Sequence, residues 1–131
     1  MDFTFLLEKA REAREFAYAP YSNFAVGAAL LTRENKVFTG CNIENAAYSS
    51  TICAERVCIF KAVSEGYRDY VALAVYAGPE LITPCGECRQ VLSEFGQDIK
   101  IIMGKGEGYL EKTLGDMLPY SFNAEAVKDK R

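Results

Sequence analysis

The sequence predicts an α/β layered domain built on a mixed sheet. Three observations point there. Short apolar runs of strand length alternate with stretches of helix length along most of the chain. The first two of those runs are separated by the polar turn Arg33-Glu34-Asn35-Lys36, so they form a hairpin and bring an antiparallel pair into the sheet. No repeat, low-complexity tract or linker interrupts the 131 residues, which are expected to form one domain, 1–131, large enough to bury most of its apolar surface without staples.

Each element can be justified in order. Asp2 to Tyr18 reads as an amphipathic helix, with Phe3, Leu6, Leu7, Ala10, Ala13 and Ala17 on one face and Asp2 as its cap. Ala19-Pro20-Tyr21-Ser22-Asn23 stops it. Phe24 to Thr32 is a nearly continuous apolar run, the pattern of a strand covered on both faces, and Val37 to Cys41 is its hairpin partner. Residues 53–65 form a mostly buried helix with apolar positions at Val57, Ile59, Phe60 and Val63, ended by Gly66. Tyr70 to Ala77 is a third strand. Pro84 is suited to begin a second buried helix that runs through Arg89, Val91, Leu92 and Phe95 to Gly96. Ile99 to Met103 is a fourth strand, and Tyr109 to Lys112 a fifth at an edge. Gly104 to Gly108 lacks the strand-to-helix context and full pattern of a phosphate loop and reads as a flexible loop. Thr113 to Leu118 is a helical turn, and Asn123 caps a short charged terminal helix.

Composition narrows the function classes. Half the residues are apolar, a quarter are charged, and the net charge is -3, which gives no basic track for a nucleic-acid backbone. The apolar stretch Phe3 to Leu7 is too short for a secretion signal or a membrane span, so a cytoplasmic setting is the expectation. Five cysteines are an odd number, and three of them have metal-type spacing, which argues against a disulfide framework.

Those three carry the chemistry. Cys53 opens Cys53-Ala54-Glu55-Arg56, and Cys85 and Cys88 lie in Pro84-Cys85-Gly86-Glu87-Cys88. A catalytic zinc uses three protein ligands and leaves the fourth tetrahedral position to water. The chain contains no histidine, so a fourth protein ligand would have to be Cys41, Cys58 or a carboxylate. Cys53 is expected in the first turn of its helix, where Arg56 is its neighbour three residues on. Cys53 and Glu55 point roughly 200° apart on a regular helix, so they share a partner only off its N-terminal end. Three thiolates around one divalent ion leave a negative centre, which two helix N-termini and the guanidinium of Arg56 or Arg89 would offset. Glu55, not needed as a ligand, is then free to carry a proton.

Together these motifs resemble the zinc-dependent nucleoside deaminases, in the form where Cys stands in place of the more common His. The resemblance extends through Tyr18-Ala19-Pro20-Tyr21-Ser22-Asn23-Phe24, Val26-Gly27-Ala28-Ala29-Leu30, Gly40-Cys41-Asn42-Ile43-Glu44-Asn45-Ala46-Ala47-Tyr48-Ser49 and Leu118-Pro119 with Phe122, and so to the small homotetrameric cytidine deaminases. It implies a three-layer fold with a five-stranded mixed sheet flanked by helices, and one zinc per subunit on Cys53, Cys85 and Cys88. The implied reaction is hydrolytic conversion of cytidine and deoxycytidine to uridine and deoxyuridine plus ammonia, a step of pyrimidine salvage. Glu55 would be acid and base, Asn42 and Glu44 would bind the ribose, Phe24 would lie against the base, and the Ala54 amide would contact the pyrimidine carbonyl. Tyr48 and Phe122 would complete a neighbouring subunit's pocket in a homotetramer. The partners are then a nucleoside and further copies of the chain, with neither nucleic acid nor membrane.

Each residue also has a blander reading. A cysteine within a helix is usually a small apolar core residue, and that is the expectation for Cys58 and for Cys41 in its strand. Glu55 alone would be a first-turn carboxylate favoured by the helix dipole, Arg56 a surface charge, and Asn42 with Glu44 a turn amide and a solvated acid. Glu87 and Val57-Cys58 depart from the resemblance; the former adds negative charge close to the metal. A closed structural zinc, a deaminase of a nucleoside-like antibiotic and a nucleic-acid editing enzyme are the competing functions. The first would need a fourth ligand, and Asn42-Ile43-Glu44-Asn45 argues for ordinary nucleosides against the second.

Overall fold

The computed structural model describes residues 2–128. Five strands, β1 (Gly27–Thr32), β2 (Val37–Cys41), β3 (Tyr70–Tyr76), β4 (Lys100–Lys105) and β5 (Gly108–Thr113), form one sheet in the order β2-β1-β3-β4-β5. Strand β1 is antiparallel to both β2 and β3, β4 is parallel to β3, and β5 is antiparallel to β4. Strands β2, β3 and β4 therefore run the same way, and each consecutive pair is joined through a helix. Helix α1 (Thr4–Arg14) precedes the sheet, α2 (Ala54–Ser64) links β2 to β3, and α3 (Gly86–Ser93) links β3 to β4. Short helices α4 (Leu114–Met117) and α5 (Ala124–Val127) follow.

This topology decides where the two long crossovers lie. Both advance across the sheet in one direction, and the right-handed preference of such connections puts both helices on the same face. The packing agrees. Ala54, Cys58, Ile59 and Ala62 of α2 and Leu92 of α3 share one core with Ala28, Leu30, Leu73, Val75, Ile101 and Met103. The opposite face of the sheet buries Ala29, Leu31, Ala72, Ala74 and Ile102 against Phe3, Leu6, Leu7 and Ala10 of α1. Successive strand residues thus serve opposite layers, as the pleat requires, and every residue of β1 is buried, as its unbroken apolar run predicts. Leu30 and Leu73 are register partners with no exposed surface, each contributing about 1.5–3 kcal/mol by burial.

Several boundaries differ from the sequence expectation for identifiable reasons. Helix α1 ends at Arg14, not Tyr18, because Tyr18 is drawn into main-chain pairing with the segment after β2: its N–H donates to the Asn42 carbonyl at 3.0 Å and its carbonyl accepts from Glu44 at 2.8 Å. Phe3 occupies the cap position; Asp2 still accepts from the Thr4 N–H at 2.9 Å. Strand β1 begins at Gly27, since Phe24 to Val26 are held outside the ladder by the Asn42 side chain. Residues 104–108 are not a flexible loop: β4 and β5 pair up to Lys105 and Gly108, and a two-residue turn with Gly106 at φ 58° joins them. On α2, Phe60 faces outward, and the buried stripe is Ala54, Cys58, Ile59 and Ala62. Cys41 is half-buried, not core, and lines a surface groove of about 520 Å3 with Phe16, Ile43 and Val57. The fifth edge strand, the 113–118 turn and the Asn123 cap are where the sequence puts them. The charged residues beyond Lys128 lie outside the described residues.

Candidate metal centre and active site

Because β2 and β3 end at the same edge of the sheet, α2 and α3 both begin there. Cys53 and Cys85 sit not in the first turns but at the residue before each, in extended conformation, with their carbonyls accepting from Val57 and Arg89. An extended cap residue throws its side chain off the end of the helix, which resolves the opposed directions expected of Cys53 and Glu55. Neither thiol caps its own helix. The first-turn N–H groups of both helices thus remain directed at the space the sulfurs share. Gly40 sets how closely α2 approaches β2: a Cβ there would lie 2.7 Å from the Ala54 carbonyl oxygen and 2.9 Å from the Val57 Cβ.

The sulfurs of Cys53, Cys85 and Cys88 all lie within 4.8 Å of one another. Cys53 Sγ is 3.7 Å from Cys85 Sγ, which is 3.4 Å from Cys88 Sγ. Three corners of a zinc tetrahedron with bonds of about 2.3 Å would be about 3.8 Å apart, so the trio fits the ion. All five cysteines are free thiols. Hydrogen bonding from Cys88, and then from Arg56 and Cys85, draws the Cys53 thiol down to about 5, while the same partnership and burial push Cys88 up. Metal binding needs thiolates, so a divalent cation seated among the three sulfurs would displace the thiol protons.

Around the trio, the charged groups are placed individually. Arg56 Nη2 donates to Cys53 Sγ at 3.3 Å, and its Nη1 donates to Glu87 Oε2 at the same distance. Arg89, the other candidate for offsetting charge, instead braces the turn, donating to the Pro84 carbonyl at 2.9 Å and to the Met117 carbonyl at 3.0 Å. Glu55 is 4 % exposed, and its burial pushes the carboxyl up to about 7. Ala54, whose amide was expected to face the substrate, has no exposed surface at its side chain and begins α2 beside Cys53.

The expected sugar- and base-binding residues gather on two adjoining loops. Asn42 Oδ1 accepts from the Val26 N–H at 2.9 Å, and its Nδ2 donates to the Phe24 carbonyl at 2.7 Å, so this side chain holds the backbone on both sides of Ala25. Glu44 accepts from the N–H groups of Tyr21 and Ser22 at 2.9 and 3.1 Å and from the Ser22 hydroxyl. Those bonds hold its carboxyl below the usual range, the Ser22 hydroxyl being the largest cause. An open cleft of about 380 Å3 is lined by Tyr21, Ser22, Glu44, Tyr48 and Thr51, with Tyr21 and Tyr48 edge to face at 5.6 Å. Phe24 is half exposed. Phe122 is elsewhere, outside α3, where its carbonyl accepts from Gln90 Nε2 at 2.6 Å. Ser22 and Gln90 have no such roles in the sequence reading; their partners, the Glu44 carboxylate and the Phe122 carbonyl, lie far along the chain, and no local pattern announces them.

A trio of convergent thiols at two helix starts, a buried carboxylate beside it and a three-layer α/β fold define a zinc-dependent hydrolytic enzyme of the deaminase type. The family described as the cytidine and deoxycytidylate deaminase zinc-binding region matches residues 3–105, and the chain belongs to that family. A cytidine deaminase of Halalkalibacterium halodurans is 48% identical over 132 residues, covering 98% of this chain and 100% of that protein. One from Sporosarcina psychrophila is 48% identical over 128 residues, covering 95% of this chain and 94% of that one. The crystal structure of cytidine deaminase from Burkholderia pseudomallei superposes with a TM-score of 0.88 at 46% identity, over 93% of this chain and 100% of that one. Zinc is accordingly the ion of this family's site, and Cys53, Cys85 and Cys88 form the candidate site for it here.

Proposed function

We propose that this chain hydrolyses cytidine and deoxycytidine to uridine and deoxyuridine, consuming one water and releasing one ammonia. The observation that carries the reading is the buried Glu55 carboxyl, two residues from a ligand thiol and outside the trio of ligands. Cys53, Cys85 and Cys88 would hold zinc, which when bound would supply the Lewis acidity that lets water ionise near neutral pH. Glu55 accepts a proton from the attacking water at a carboxylate oxygen and passes it to ring N3. It then takes the second proton from the new C4 hydroxyl and gives it to the amine as the C4–N bond breaks, leaving the C4 carbonyl and ammonia. Its raised pKa suits both halves of that exchange. Arg56 stabilises the Cys53 thiolate against the accumulated negative charge. Phe24 packs on the base, the Ala54 amide meets the pyrimidine carbonyl, and Glu44 with Asn42 accepts the sugar hydroxyls, the Glu44 carboxylate being fixed in its ionised form by Ser22 and the Tyr21 and Ser22 amides.

The exposed aromatics support an assembly of four copies with shared pockets. Tyr48 is 72 % exposed and Phe122 64 %, too much apolar ring in water for residues of a pocket unless a neighbouring copy covers them. No helix is long and apolar enough to cross a membrane. Five unpaired thiols suit a reducing cytoplasm, where we place the protein.

An ultraviolet absorbance assay with cytidine, deoxycytidine, cytosine and CMP, with and without a zinc chelator, tests the reading. Conversion of the two nucleosides that the chelator abolishes is the expected result. Turnover that survives complete metal removal, or that is confined to CMP or cytosine, would refute it.

A further inference from the structure

Glu87 stands inside the Cys85-to-Cys88 spacing, where it adds a negative charge to a centre already rich in it. Its carboxylate is 3.3 Å from Arg56 Nη1, while Nη2 of the same guanidinium is 3.3 Å from Cys53 Sγ. Arg56 belongs to the first turn of α2 and Glu87 to the first turn of α3. The contact therefore ties together the two helix starts that carry the ligands. The two partners differ sharply in exposure: the Arg56 side chain is 16% exposed and that of Glu87 80%. Arg56 Nε is out of water with no hydrogen-bond partner, so the orientation of the fork depends on what its terminal nitrogens touch.

We infer that Glu87 is a positioning residue for the metal centre: by holding Arg56 Nη1 it keeps Nη2 against the Cys53 sulfur. The blander account is a solvated carboxylate favoured by the dipole of α3. That account predicts no dependence on Arg56. A long-range electrostatic effect is also distinguishable, since the charge of an exposed carboxylate is screened by water and salt, whereas a hydrogen bond that fixes a fork is not a matter of net charge. The inference rests on the three thiols holding zinc and concerns how firmly one of them does so.

The test uses the zinc-loaded full chain. Metal analysis first fixes the zinc content of the unaltered protein, and transfer of zinc to a chromophoric chelator is then timed for it, Glu87→Ala, Glu87→Gln, Arg56→Ala and the double variant Arg56→Ala with Glu87→Ala. Glu87→Ala is expected to release zinc about two- to fivefold faster, the scale of a partly exposed ion pair. Glu87→Gln, which still accepts a hydrogen bond from Arg56, should stay close to the unaltered rate. In the Arg56→Ala background Glu87→Ala should add nothing. In cobalt-substituted protein the sulfur-to-metal charge-transfer band should shift in Glu87→Ala and not in Glu87→Gln. Unchanged release by Glu87→Ala, equal behaviour of the Ala and Gln variants, or an undiminished effect without Arg56 would each overturn the inference while leaving the metal assignment intact. Absence of zinc from the unaltered protein would remove the assignment itself.

Discussion

Glu55 and Cys58 sit three residues apart on α2, both out of water, and burial raises the pKa of each with different chemical consequences. The carboxyl is held near the range where it can both take and give a proton, and it sits beside ligands. Replacing Glu55 by Gln preserves shape and polarity while removing the exchangeable proton. Zinc content should be unchanged and turnover should fall on the order of 10²–10⁴-fold; metal analysis beside the nucleoside assay reads both. Cys58 has no exposed surface, and burial pushes its thiol far above the usual range. Its folded form keeps the proton that the unfolded thiol loses above about pH 8.5. Stability is therefore full below that pH and declines as pH rises from there. Denaturant midpoints should drop less steeply above pH 8.5 in Cys58→Ala than in the unaltered chain, though the variant starts lower. The convergence of the three thiols was legible from their spacing, since ligand geometry constrains sequence directly. What could not be read was the partnership of side chains, such as Ser22 with Glu44 or Glu87 with Arg56, which only the folded chain brings together.

Among the elements, the crossovers matter most, and Gly40 controls the fit of one of them. Gly40→Ala would force β2 and the first turn of α2 apart, since a methyl 2.7 Å from the Ala54 carbonyl oxygen meets backbone that cannot swing aside. A cost of about 1–3 kcal/mol follows, with a lowered melting temperature and weakened zinc retention, since Cys53 rides on the displaced turn. A stable variant with unaltered zinc release would show that α2 is not seated by this contact. Thr113 offers a contrast away from the site. Its hydroxyl accepts from the Asp116 N–H at 3.2 Å and the Asp116 carboxylate accepts back from the Thr113 N–H at 3.3 Å, a capping box. Thr113→Ala should cost about 1 kcal/mol in chemical denaturation and leave kcat untouched. Strands and helices were recognisable from apolar runs because burial imposes them. Their ends were not: α1 yields its last turn to pairing of Tyr18 with 42–44, and Gly104 to Gly108 looked like a loop because a tight Gly turn and a strand end share one composition.

For the whole molecule, the proposed shared pockets predict subunit complementation. If Phe122 serves a neighbour and Glu55 its own subunit, a mixture of Phe122→Ala and Glu55→Gln chains, unfolded and refolded together, should recover activity that neither shows alone. Light scattering should give the mass of four chains. Recovery in a strictly monomeric sample, or none in a tetrameric one, would separate the pocket from the assembly. A last consequence comes from the single direction shared by β2, β3 and β4. Their two linking helices open at one edge only once all three strands are aligned, so a high-affinity cradle for the ion cannot exist in a half-assembled chain. Ion capture then reports completion: in rapid-mixing refolding, a metal indicator should follow the late tertiary signal, lagging the early rise in helicity, and the captured ion would act as a latch closed after the scaffold is in place.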